Sequence, residues 1–194
     1  MRDKKLEILK YGKEVFSEKG FKNTKVVDIT TKAGIATGSF YKFFSSKEEL
    51  FMHLYNEENA KVKEEIKKRF DASTRDPAET LKDALIYNYE AMSANPILKE
   101  WYNPDAYSKI ENFYRKSIEK NDANAMHDIS KEMVKEWRQN GKIRSDIDIE
   151  LILALFHCIT YIDTHKEVIG IQYFPQLSHL LAEFVMKGLE PLSS

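Results

Sequence analysis

Between Thr24 and Lys47 the chain gathers hydroxyls and ammonium groups at short intervals: Thr24, Lys25, Thr37, Ser39, Tyr41, Lys42 and Lys47. Side chains of these types donate hydrogen bonds to phosphate oxygens and to base edges. Phosphate contacts supply affinity and salt dependence, while base contacts supply sequence choice. The set carries no catalytic logic. The chain has no Gly-rich phosphate loop, no His-Glu-x-x-His and no nucleophile elbow. His157 and Asp163 lie six positions apart and share no helix face, so a metal site there is not expected. The sequence therefore implies no enzyme, no metal and no cofactor.

Two short helices must position these groups. Val26, Ile29, Ala33 and Ile35 are apolar at the spacing of one short helix and the turn after it. Gly34 can take the backbone conformation that ends that helix and turns into the next. The second helix would carry Gly38, Ser39, Tyr41 and Lys42, with Phe40, Phe43 and Phe44 as apolar neighbours. Two short helices joined by a Gly-containing turn form a helix-turn-helix, whose second helix enters the DNA major groove. Thr24 is the expected N-cap of the first of them. Ser46, with Glu49 three residues on, is the expected capping box of a long helix from Lys47 to about Phe70.

Residues 8–51 resemble the N-terminal domain of the TetR/AcrR family of bacterial transcription repressors. The matching residues include Ile8-Leu9, Val15-Phe16, Gly20-Phe21, Thr24, Val26, Asp28-Ile29 and Ala33-Gly34-Ile35. They continue through Gly38-Ser39-Phe40-Tyr41, Phe44 and Ser46-Lys47-Glu48-Glu49-Leu50. The resemblance implies phosphate contacts from Thr24, Tyr41 and Lys47, and base-edge or groove contacts from Thr37, Gly38 and Lys42. Three departures stand out. Ala36 replaces the Ser that usually caps the recognition helix, leaving Thr37 to cap it. Val27 stands where a polar residue is common, and Gly12 where Ala is usual. On this reading Tyr41→Ala or Lys47→Ala weakens DNA binding without unfolding the protein.

Composition agrees. Gly (7) and Pro (5) are scarce in 194 residues, which favours long helices over many-turned β architectures. One cysteine excludes an intramolecular disulfide framework. The charged N-terminus lacks the apolar run of a signal peptide, which leaves the cytoplasm as the expected compartment. Net charge is −1, yet residues 1–47 hold eleven Lys/Arg against five Asp/Glu, and the remainder is acidic. A basic head on an acidic body suits a DNA-binding module joined to a domain with another task.

The expected architecture is all-α: a three-helix DNA-binding domain over 1–47, joined by a long fourth helix to a ligand-binding and dimerisation domain over 48–194. Further helices are expected from Pro77 to Ala94, over a short piece at Trp101 and Tyr102, from Asp105 to Lys120, from Ala123 to Asn140, from Ile147 to Lys166 and from Phe174 to Leu189. Leu151–Cys158 is apolar almost all round, which predicts burial on every side, with Cys158 buried, but is too short to span a bilayer. The resemblance implies a small-molecule pocket among the central helices and a homodimer made by the last two long helices. Candidate pocket residues are Asn88, Trp101, Tyr102, Tyr114, Trp137, His157 and Tyr161. Aromatics at helical spacing also describe an ordinary core. Asn88, an amide in the apolar row Leu81, Leu85, Met92, needs partners from protein or ligand. The function implied is a homodimeric repressor on a near-palindromic double-stranded operator, released by an apolar or aromatic effector. The competing reading is a helical small-molecule-binding protein of the same fold that no longer acts through DNA.

Overall fold

The structure, a computed structural model, describes residues 2–69, 76–120, 125–162, 165–174 and 176–192. Its elements are helical throughout, and no strand occurs among the described residues. They run α1 (Arg2–Asn23), α2 (Val26–Lys32), α3 (Thr37–Phe40), α4 (Lys47–Arg69), α5 (Pro77–Ala94), a 3-10 segment (Leu98–Tyr102) and α6 (Pro104–Lys120). Then follow α7 (Ala125–Gln139), α8 (Ile149–Ile162), α9 (Lys166–Ile169), a second 3-10 segment (Ile171–Tyr173) and α10 (Gln176–Leu189). Phe70, the expected end of the fourth helix, residues 71–75 and the start of the helix expected at Ala123 lie outside the described residues.

Packing divides the chain into two units, Met1–Lys61 with Ala91–Asn121, and Val62–Glu90 with Asp122–Ser194. In the first, Ile8, Val15, Phe16, Phe21, Ile29, Phe40, Phe44, Leu50 and Phe51 are buried. The Phe51 ring meets Phe16 edge-on at 5.1 Å and Phe21 at 4.8 Å, locking α4 against both sides of the bend in α1. That bend is Gly20, at φ 75° and ψ 167°. A Cβ there would also come within 3.0 Å of the Glu100 carboxylate, so both conformation and space demand glycine.

The caps of the head differ from expectation. Thr24 is not the N-cap of α2; it is buried, and its hydroxyl donates to the Gly20 carbonyl at 2.7 Å. Lys25 takes the cap position instead, and its N–H donates to the Asp28 carboxylate at 2.8 Å. The end of α2 follows the Gly34 expectation: at φ 64° it lets its own N–H reach the Thr31 carbonyl and that of Ile35 reach Thr30. Ala36, not Thr37, occupies the cap of α3, without a side-chain cap bond. Thr37 lies inside the helix, with its hydroxyl 3.3 Å from that of Thr30. The helix is shorter than the sequence suggests: it ends at Phe40, and Tyr41 and Lys42 follow in a turn closed by the Phe43 and Phe44 N–H groups on the Phe40 carbonyl. Ser46 caps α4 as expected, accepting the Glu49 N–H at 3.1 Å. The Glu49 carboxylate goes to the N–H and hydroxyl of Ser45 rather than back to Ser46.

The second unit has its own core of Leu81, Val134, Trp137, Ile143, Ile152, Leu153, Ile159, Ala182, Met186 and Leu189. Glu150 ties α8 to α7 through His127 at 2.9 Å and Lys131 at 2.5 Å. Two expectations for α8 are corrected. It does not run on to Lys166: His165 is the non-helical N-cap of a separate helix, α9, that begins there. Nor is it buried on every side: Leu151, Cys158 and Tyr161 are exposed in the single chain. An all-round apolar helix buries one flank in its own core, and the pattern alone cannot say what covers the other.

Candidate nucleic-acid interface

The reading end of the head is built by a division between neighbours. Phe40 is fully buried and pins α3 to the core, while Thr37, Gly38, Tyr41 and Lys42 around it stay exposed. The Tyr41 ring stands edge-on to Phe40 at 5.4 Å, and the residue is 56% exposed. A side chain at Gly38 would meet no atom within 4 Å, so the fold does not require glycine there. Its bareness instead lets another molecule approach the backbone. Ser39 is half-buried, with its N–H on the Ala36 carbonyl at 2.8 Å. Two residues of the expected set face inward. Thr24 is buried, and the Lys47 ammonium donates to the carbonyls of Phe21 (2.9 Å), Lys22 (3.3 Å) and Thr24 (2.8 Å).

Charge is arranged to match. Lys13, Lys19, Lys22 and Lys32 are each paired with a carboxylate. Lys25 and Lys42 are exposed and form no ion pair among the described residues. Within the helix-turn-helix, the cations without an ion pair among the described residues are therefore Lys25, where α2 begins beside Asp28, and Lys42, just past α3. An N-terminal helix end beside a cation suits a phosphate.

Behind this end lies a buried carboxylate that the sequence reading passed over. Glu58 of α4 is 9% exposed; one oxygen accepts from Lys13 of α1 at 2.8 Å and Lys61 at 2.6 Å, the other from Asn95 at 2.7 Å. Glu58 stands in an apolar row with Phe51, Leu54, Tyr55 and Val62, the pattern that singled out Asn88, and would have been found by the same test. Burial alone would raise its pKa from 4.5, but the bonds from Lys13, Lys61 and Asn95 outweigh burial and bring it to about 2. A carboxylate depressed in the folded state stabilises above its unfolded pKa, and that stability is lost as pH falls through the folded value. Glu58→Gln should therefore lower the melting temperature at pH above about 5, with the difference from wild type shrinking toward about pH 3 in thermal melts followed by circular dichroism.

The candidate pocket residues do not share one packing unit. Trp101 and Tyr102 belong to the first, where the Trp101 ring lies 5.8 Å from Tyr55 and 5.3 Å from Tyr107, and the Tyr102 hydroxyl 3.7 Å from the Met92 sulfur. Asn88, Trp137, His157 and Tyr161 belong to the second. Asn88 is half-buried. Trp137 is 1% exposed in the core, its indole N–H without an acceptor among the described residues. His157 and Tyr161 stand on the exposed side of α8 with rings 6.2 Å apart. The Tyr114 side chain lies outside the described residues.

Residues 8–54 match the family model of the bacterial regulatory proteins of the tetR family. The chain is 28% identical over 147 residues to the HTH-type transcriptional regulator YvdT of Bacillus subtilis, covering 68% of this chain and 72% of that protein. It is 26% identical over 156 residues to the HTH-type transcriptional repressor KstR2 of Mycobacterium tuberculosis, covering 80% of this chain and 77% of that one. The transcriptional regulator FadR of Bacillus subtilis, solved in complex with stearoyl-CoA, has the same fold. Its TM-score is 0.62 at 19% identity, over 95% of this chain and 99% of that one.

Proposed function

The chain belongs to the TetR family of bacterial transcription regulators, and from that premise we propose that it is a homodimeric repressor of a near-palindromic operator, released by a small-molecule effector. One observation carries the DNA half of this reading. Thr37, Gly38, Tyr41 and Lys42 are exposed around a fully buried Phe40, with Lys25 exposed and unpaired at the start of α2. In this reading α3 and the turn after it enter the major groove. Thr37 and Lys42 reach base edges, Gly38 allows close approach, and Tyr41 and Lys25 hold phosphates. Thr24, Ser39 and Lys47 serve from behind, as supports of the segment that carries the others.

Residues 1–47 would be the DNA-reading part and residues 48–194 the effector-binding and dimerising part, with α4 running unbroken from Lys47 to Arg69. The dimer would form through α8 and α10, whose outer sides carry Leu151, Tyr161, Leu180 and Phe184, all exposed in the single chain. His157 and Tyr161 then belong to that interface rather than to a pocket. The stearoyl-CoA held by the FadR neighbour makes a long-chain acyl-CoA the first effector to test. Effector binding would favour a spacing of the two heads that fits DNA poorly, a shift of population between spacings. Access to the chromosome implies the cytoplasm; no described helix is long and apolar enough to cross a membrane.

The test is selection of duplexes from a random-sequence pool by the full-length protein. A near-palindrome with half-sites about 10 bp apart is expected. Against that duplex, Tyr41→Ala and Lys42→Ala should each weaken binding about tenfold or more with unchanged melting temperature, Lys42→Ala also relaxing sequence choice. Failure to enrich any sequence would favour the reading in which DNA function has been lost.

A further inference from the structure

We propose that Lys13 and Glu58 are positioning residues for DNA binding, tying α1 to the Asn95–Asp105 segment so that the helix-turn-helix is held in its binding orientation. The inference rests on the repressor reading above and adds to it the point at which the head is held. All the contacts lie within the first unit.

They form a closed circuit. From Lys13 of α1 it passes to Glu58 at 2.8 Å and on to Asn95 at 2.7 Å. The Asn95 side-chain oxygen accepts the N–H groups of Ile97 (2.9 Å) and Leu98 (3.2 Å), which fixes the start of the 3-10 segment. That segment delivers the buried Glu100, whose carboxylate lies against Gly20 and accepts from Asn103 at 2.9 Å. The oxygen of Asn103 takes the Asp105 N–H at 3.1 Å, and Asp105 pairs with Lys22 of α1 at 2.8 Å. One segment thus grips α1 on both sides of its central turns.

The two grips are unequal. Lys22–Asp105 is an exposed pair with side chains 61% and 65% accessible, a kind that contributes little. The Glu58 carboxylate is 10% accessible, so losing a partner there leaves a charge that water cannot reach freely. Lys61 shares the same Glu58 oxygen as Lys13 but sits on α4 itself and joins nothing to α1. Asn95 follows directly on the last residue of α5.

The test uses full-length protein, the selected duplex labelled for fluorescence anisotropy, and a temperature at which circular dichroism shows each variant folded. Lys13→Met should weaken binding about tenfold, the scale of a coupled contact pair, and Lys13→Arg should restore it. Lys61→Met, which disturbs the same carboxylate, and Lys10→Met, which removes an equal charge from α1, should stay within about twofold of wild type. Lys13→Gln serves in place of Lys13→Met should the latter not fold. Wild-type affinity in the Lys13 variant, a loss no greater than that of Lys10→Met or Lys61→Met, or failure of Lys13→Arg to restore binding, overturns the tie. Absence of any selected duplex for wild type overturns the repressor reading instead.

Discussion

Phe184→Glu is expected to give a folded monomer whose operator affinity is lower by at least about 100-fold, because the two heads lose their mutual effective concentration. Phe184 is 56% exposed and Leu180 45%, one turn apart on α10, and Leu151 is 55% exposed on the neighbouring α8. The opposite sides of the same helices carry Ile152, Leu153, Ile159, Ala182, Met186 and Leu189, all in the core. The substitution therefore leaves the fold of the single chain untouched. In a two-fold symmetric interface it enters twice, removing about 1.5–3 kcal/mol of apolar burial per copy. It also adds a carboxylate on each side that must lose its water. Sedimentation velocity at micromolar concentration should show a monomer, and anisotropy with single half-site duplexes should show little change. A dimer that survives Phe184→Glu would move the interface away from α8 and α10.

The same residues explain what the sequence could and could not disclose. Helix limits were legible where a residue type forces them: Pro77 opens α5, Gly34 closes α2 and Ser46 caps α4, each through its own backbone or side-chain chemistry. The head was legible because Phe40 and Phe44 must go in and Tyr41 and Lys42 need not. Periodicity reports only that a flank is apolar, so α8 read as buried all round although Leu151 and Cys158 face outward in one chain. Polar side chains escaped most. Thr24 looked like a cap but turns its hydroxyl back onto Gly20, and Ala36 caps α3 with no side-chain bond at all. Glu58 was passed over: its apolar row marks it as buried, but the Lys13 and Asn95 that satisfy it lie 45 and 37 positions away. A short-range pattern holds no trace of such partners.

Lys47→Met should lower the melting temperature of the DNA-free protein by several degrees and abolish measurable operator binding, since a lost charged donor to part-buried carbonyls costs about 1–3 kcal/mol. The ammonium has three N–H bonds, and the carbonyls of Phe21, Lys22 and Thr24 take all three, with the Phe21 ring 4.8 Å beneath it. These carbonyls belong to the last turn of α1 and the entry to α2, where backbone acceptors have no helical partner and the helix dipole is negative. Burial lowers the pKa of this lysine, as it does for a cation placed among backbone groups rather than in water. Release of the three carbonyls would free the segment that sets Lys25 and the first turn of α2. A direct phosphate ligand predicts something different: weaker binding, a salt dependence reduced by about one unit of slope, and an unchanged melting temperature without DNA. Lys47→Arg separates the two further. A guanidinium keeps the charge and can hold a phosphate, but its planar fork cannot turn three donors onto carbonyls that converge on one point. Arg at 47 should therefore fail to restore the melting temperature, and restoration by Arg would return Lys47 to the DNA surface.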